Sequence, residues 1–318
     1  MKHFAIVALV GMAFAGRAAE IDLAGSWRLA GTNEKGQSVS CPIAVPGDVH
    51  SALRGAGLLP DPFFGANETN VLWVGQREWT VSRDFAVDAA LLREKAVVLR
   101  LEDVDTFCTV YVNGQKVGVT DNRFRRWEFD VKPFLREGAN TVVGVFADVE
   151  ETVRRLRAAS PVTWQFASWM NGRVVGMCQV RKPQCHSGWD WGICQMVVGF
   201  CGDVRLIASD WRIDYVYTEQ HFNRDRTHCD LDVIAELTDA DGTHSAVTNR
   251  IAIDKPRLWW PNGQGEQHLT PWTVDVRGVR CPAGRASARS SSSRGATGTG
   301  RARWAAAASS GSTDAMCS

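Results

Sequence analysis

Cys108-Thr109-Val110-Tyr111-Val112-Asn113-Gly114-Gln115-Lys116-Val117 reads as two strand arms around a tight turn. Side chains alternate along a strand, so Cys108, Val110 and Val112 share one face. Asn113-Gly114 accepts the positive φ angles of a two-residue hairpin, and Val117 starts the return strand. Working outward, Val97, Leu99 and Leu101 line one face of an earlier strand, while Phe129 to Val131 and Thr141 to Phe146 continue the series. Helical interruptions are brief. Asp48 can cap a segment through Leu53, and Glu151 with Arg155 makes an i, i+4 pair on a short polar helix. From Ile21 to about Ala208 the pattern is therefore an all-β sandwich, with helices as connectors rather than layers of an α/β fold.

A second unit starts near Asp210. Trp211, Ile213, Tyr215 and Tyr217 alternate, then Cys229, Leu231, Val233, Ala235 and Leu237 share the face of another strand, and Asp241-Gly242 reads as a turn. Residues 209–278 supply roughly 70 positions against about 100 for a complete immunoglobulin-like sandwich, so this domain is expected to be incomplete. From Val279 onward the text becomes Arg, Ala, Ser and Gly without an apolar period. Residues 279–318 are read as a low-complexity tail produced by a frameshift or misassembly, with a basic polyanion-binding tail as the alternative.

At the other end, Lys2, the apolar run Phe4 to Phe14 and the small-x-small pattern Ala13-Phe14-Ala15 read as a cleavable secretory signal over residues 1–15, with Ala19 the alternative cut. The run is too short to span a bilayer. The expectation is an exported chain, periplasmic or extracellular.

Among 318 residues, 36 Lys plus Arg stand against 35 Asp plus Glu. Six of those basic residues but one acid lie beyond residue 278, so residues 1–278 hold 30 basic and 34 acidic groups. Neither balance favours nucleic acid, and no membrane partner is expected. Nine cysteines leave at least one unpaired. Cys178, Cys185, Cys194 and Cys201 lack the paired spacing of a zinc ribbon, so no metal is expected; a Cys178–Cys185 disulfide and buried thiols both remain open. The absence of a Gly-rich phosphate loop, a Gly-x-Ser-x-Gly elbow and a His-Glu-x-x-His helix argues against nucleotide, esterase and zinc-protease chemistry, and no cofactor is expected.

Thirteen Trp beside three Tyr is the compositional outlier, suited either to large cores or to stacking surfaces. Three clusters carry much of it. The first runs Pro46-Gly47-Asp48-Val49-His50, then Gly57-Leu58-Leu59-Pro60-Asp61-Pro62-Phe63-Phe64-Gly65-Ala66-Asn67-Glu68, then Trp73-Val74 and Trp79. The second is Arg181-Lys182-Pro183-Gln184-Cys185-His186-Ser187-Gly188-Trp189-Asp190-Trp191-Gly192, and the third is Leu258-Trp259-Trp260-Pro261-Asn262-Gly263-Gln264-Gly265-Glu266-Gln267.

Trp189-Asp190-Trp191 is the most chemical of these. A carboxylate accepts hydrogen bonds from paired sugar hydroxyls, indole faces cover the apolar patches of a pyranose, and flanking Gly188 and Gly192 permit a sharp loop. In an extended segment the two indoles would point together and Asp190 away, so all three can meet one ligand only if the chain bends. Structural packing is the competing reading, with Arg181 or Lys182 holding Asp190 in an ion pair.

Taken in order, the three clusters resemble the N-terminal part of a β-mannosidase of glycoside hydrolase family 2, over about Ile21 to Val276. Arg181-Lys182-x-Gln184-Cys185 followed by Gly188-Trp189-Asp190-Trp191-Gly192 is the specific element, and Asn122-x-Phe124 ahead of Phe129-Asp130-Val131 fits the same pattern. Ile193 stands where the family usually has Pro. The resemblance implies a jelly-roll, galactose-binding-like domain over residues 20–208, an immunoglobulin-like domain over 209–278, and then a (β/α)₈ barrel. It also implies that Trp189, Asp190 and Trp191 contact the terminal mannose of β-mannosides or manno-oligosaccharides.

Enzymes of this kind use an acid and a nucleophilic carboxylate about 5 to 5.5 Å apart. The barrel that holds them takes about 250 residues, and only residues 279–318 follow the last credible strand. The catalytic pair is thus expected to lie outside this sequence. Asn67-Glu68 matches the acid-bearing dipeptide of such enzymes but falls in an early loop, so it receives no catalytic role. His50 and His186 are likewise read as structural. The leading expectation is a non-catalytic fragment of an exported β-mannosidase. A stand-alone carbohydrate-binding module and a purely structural scaffold are the other readings.

Overall fold

The computed structural model describes residues 19–162, 174–276, 279–286 and 302–305. The signal-like segment lies outside them, as does most of the stretch beyond residue 286. Chain contacts separate Ala19–Ala208 from a second unit that begins at Ser209.

In Ala19–Ala208, six strands lie in the order Ser38–Val45, Gly25–Thr32, Trp79–Val87, Gly138–Phe146, Cys108–Val112 and Gln115–Thr120, every neighbour antiparallel. A second sheet orders Ala19–Asp22, Val204–Ser209, Ala96–Leu101 and Trp127–Asp130. Trp27, Leu29, Trp79, Val110, Val142 and Phe146 from the first sheet meet Val97, Leu99, Leu101 and Leu206 from the second in one core. The all-β expectation holds. At its deciding hairpin Val112 pairs with Gln115, and Asn113 and Gly114 take φ values of 51° and 80°.

Alternation understates one strand. Val97 through Leu101 are all buried, including Arg100, because Glu128 of the neighbouring strand neutralises the guanidinium at 2.7 Å. The polar face is closed by an ion pair instead of being open to water.

Besides the short helix Ala89–Arg93, the two helices that the sequence marks are both longer than its pattern suggests. Asp48 caps Val49–Gly55, its Oδ1 accepting from the Ser51 amide at 3.0 Å. The second helix is Val149–Ala159, capped by Asp148, whose side chain accepts from the Glu151 amide at 2.8 Å. Val149 and Val153 are buried against the core, while Glu151 pairs outward with Arg154 and, at 4.0 Å, with Arg155.

The second unit pairs Trp211–Phe222, His228–Asp239 and His244–Asp254 antiparallel. Cys229, Leu231, Val233, Ala235 and Leu237 are all buried, as their shared face requires. The alternation of Trp211–Phe222 breaks where the register shifts between Ile213 and Tyr215, so that Val216 and Tyr217 are buried in succession. The turn beyond Asp239 closes with the Asp239 amide donating to Thr243 O at 3.0 Å and Gly242 at φ 86°. Strands also form within residues 279–318: Val279–Ala286 pairs with Thr270–Val276, and Ala302–Ala305 with Trp211–Phe222. Backbone hydrogen bonding needs no apolar period, so these pairings left no hydropathy signal.

Candidate functional site

Ser187–Trp189 and Gly192–Cys194 form a small antiparallel hairpin in which Ser187 faces Cys194 and Trp189 faces Gly192. Asp190 and Trp191 are left as its two-residue turn. The bend that an extended chain would lack is therefore present, helped by Gly188 at φ 94°. The two indole centroids lie 6.4 Å apart with planes at 45°. Trp191 is 73% exposed, Asp190 is exposed and Trp189 half-buried. An open carboxylate beside two adjacent indole faces can accept hydrogen bonds from a polyhydroxyl ligand while covering its C–H surface.

Charged groups hold the entry to this hairpin. Asp105 and Lys182, both with fully buried side chains (0%), lie 3.2 Å apart. The Lys182 ammonium also donates to Val197 O at 3.0 Å and reaches His186 Nδ1 at 2.8 Å. Arg123 completes the set, donating to Asp105 at 2.8 Å and to Asp103 at 2.5 and 2.9 Å. Burial pushes the Asp105 carboxyl up, but the His186 hydrogen bond and the Lys182 charge outweigh it and hold it below the ordinary aspartate value. Burial pulls the Lys182 ammonium and the His186 imidazole down, in both cases against the attraction of Asp105. The Arg123 amide donates to Arg181 O at 2.9 Å, which ties the Asn122-x-Phe124 segment to the start of the second cluster.

The exit strand is held from the first cluster. Glu68 Oε1 accepts from the Cys194 amide at 2.8 Å across 126 positions of sequence. Next to it, Gly75 leaves no room for a side chain: a Cβ there would sit 2.5 Å from Met196 Cβ.

These contacts decide several readings that the sequence left open. Lys182 is committed to Asp105 and does not hold Asp190, and among the described residues Asp190 makes no ion pair. Cys185 is a free thiol, so the Cys178–Cys185 disulfide is absent. His50 is on the buried face of the first helix, and burial pushes its imidazole down to about 4. Trp27 and Trp79 account for part of the Trp excess as core, donating to Leu23 O at 2.8 Å and Val74 O at 2.9 Å. The third cluster closes on itself in the second unit, where the Trp260 amide donates to Glu266 O at 2.9 Å. Sequence reasoning passed over Asp105. Its only signal was indirect, a lysine and a histidine four residues apart that would need a countercharge if buried.

The paired sheets with their shared core make the first unit a galactose-binding-like sandwich, and the family model for the glycosyl hydrolase 2 galactose-binding domain-like region matches residues 27–202. Among curated relatives, beta-mannosidase B of Thermothelomyces thermophilus is 31% identical over 259 residues, covering 74% of this chain and 30% of its own length. The beta-mannosidase of Bos taurus is 28% identical over 312 residues, covering 84% and 34%. The crystal structure of a beta-D-mannosidase from Dictyoglomus thermophilum superposes with a TM-score of 0.70 at 26% identity, over 80% of this chain and 33% of that one. The chain belongs to the glycosyl hydrolase 2 family, whose galactose-binding domain-like region it carries. It spans about a third of the length of the relatives it matches.

Proposed function

We propose that this chain supplies part of the sugar subsite of an exported β-mannosidase, with Asp190 accepting from mannose hydroxyls and Trp189 and Trp191 lining the pyranose. Hydrolysis of terminal non-reducing β-D-mannose belongs, on this reading, to a whole enzyme of the length of the matched relatives. The observation that carries this reading is the turn itself, which leaves Asp190 open between two indoles 6.4 Å apart. Half a subsite gives weak affinity, because the hydrogen bonds that complete specificity come from elsewhere. Titration with mannobiose should therefore show millimolar, saturable binding that Asp190→Ala weakens at least about tenfold, out of the titrated range, and a chromogenic β-mannoside should remain uncleaved. Cleavage by this chain, or binding indifferent to Asp190, would contradict the reading.

The exposure of Trp191 at 73% supports a second reading, a self-sufficient carbohydrate-binding module. It requires micromolar or tighter mannoside affinity in the same titration. Export rests on the Lys2 to Ala15 pattern. N-terminal sequencing of the secreted product should begin at Gly16, and an intact Met1 would overturn it.

A further inference from the structure

Asn67-Glu68 matches a catalytic dipeptide in sequence, yet the Glu68 carboxylate is spent on a backbone amide. We infer that Glu68 is a positioning residue that sets the conformation of the Trp189-Asp190-Trp191 turn. The inference rests on the reading of that turn as the sugar-contacting element. Two three-residue strands have little stability of their own, so their shape is imposed from outside. The entry strand follows directly on His186, which the buried Asp105 and Lys182 fix in place. The exit strand begins at Gly192 and reaches Cys194, whose amide donates to Glu68 Oε1 at 2.8 Å.

Cys194 is also the residue paired with Ser187 at the base of the hairpin, so this one bond fixes the point at which the two arms separate. An ionised acceptor makes that bond shorter and stronger than a neutral one. The segment carrying Glu68 continues into Leu72–Gln76, where Gly75 receives Met196, two residues beyond the exit strand. Glu68 thus holds the end of that strand and Gly75 the segment just after it, and removal of the carboxylate frees the point nearer the turn.

The test uses the full chain labelled with 5-fluorotryptophan, with the Trp189 and Trp191 resonances assigned by Trp189→Phe and Trp191→Phe. Glu68→Ala should move or split both resonances, speed exchange of the Cys194 amide, and weaken the mannobiose response about tenfold. Glu68→Gln keeps an acceptor oxygen and should restore all three towards the parent. Because the Gly75 contact and the buried charges persist, the other core tryptophan signals should stay in place in both variants. Parental Trp189 and Trp191 signals in Glu68→Ala would overturn the positioning role. A parent chain indifferent to mannobiose would instead remove the sugar reading, while displaced signals in Glu68→Ala would still establish the positioning of the turn.

Discussion

In Ala19–Ala208, Asp105 and Lys182 meet at 3.2 Å with neither side chain reaching solvent, whereas beyond Ser209 Asp232 meets Arg250 at 2.6 Å with the arginine side chain 61% exposed. Both are short ion pairs within all-β units, but they serve different ends. A buried pair gives up hydration that only good geometry and further hydrogen bonds can replace, so it tolerates few arrangements. Arg123, His186 and Val197 O supply those further contacts here. In the second pair Asp232 is buried but Arg250 keeps much of its hydration, so loss of the arginine leaves less charge stranded than loss of Lys182. The first arrangement is suited to fixing the entry to a hairpin, and the second to bracing one face of a sheet.

Substitutions in both units probe this contrast. The largest effect is expected from Lys182→Met, which strips the buried Asp105 of its nearest ammonium and should cost about 3 to 5 kcal/mol in urea unfolding. Arg250→Ala should be far milder. Equal effects would erase the distinction.

Next comes acid sensitivity. Burial lowers the His50 imidazole from 6.5 to about 4 in the folded chain. The unfolded state takes up a proton before the folded state does, so stability is full above the ordinary histidine value and falls as pH drops towards 4. The whole window is worth on the order of 3 kcal/mol, and His50→Phe should flatten it. A third effect acts on binding alone. Asp190→Ala should lose about tenfold to a hundredfold in mannobiose affinity, the range for a hydrogen bond to a charged group, with an unchanged unfolding midpoint.

The smallest effect has the opposite pH sign and lies in the second unit. His228 is held between Asp254 at 2.7 Å and Asp230 at 3.1 Å, first the Asp254 and then the Asp230 hydrogen bond raising its pKa above the ordinary value. That contribution is present below the ordinary histidine value and disappears as pH rises through the raised one. His228→Asn should remove a shallow alkaline slope from the thermal midpoint and leave the acid arm of His50 untouched.

Features written within a few residues were legible before any coordinates. Asn113-Gly114 dictated its own turn, Asp48 its own cap, and Gly188 and Gly192 marked the bend around Trp189 to Trp191. Contacts between distant segments were not. Nothing near Asp105 announces Lys182, and nothing near Glu68 announces the Cys194 amide. Arg100 looked solvent-facing until Glu128 was placed beside it. The shift between Ile213 and Tyr215 escaped for a related reason, since a bulge changes which residues face inward without changing which residues are apolar.

The most direct test of the sugar subsite is a fluorine NMR titration of the 5-fluorotryptophan chain with mannobiose, run in parallel on the parent and on Asp190→Ala. The account predicts a saturable, millimolar shift confined to Trp189 and Trp191 in the parent and absent from the variant. No shift in the parent, or the same shift in Asp190→Ala, would contradict it.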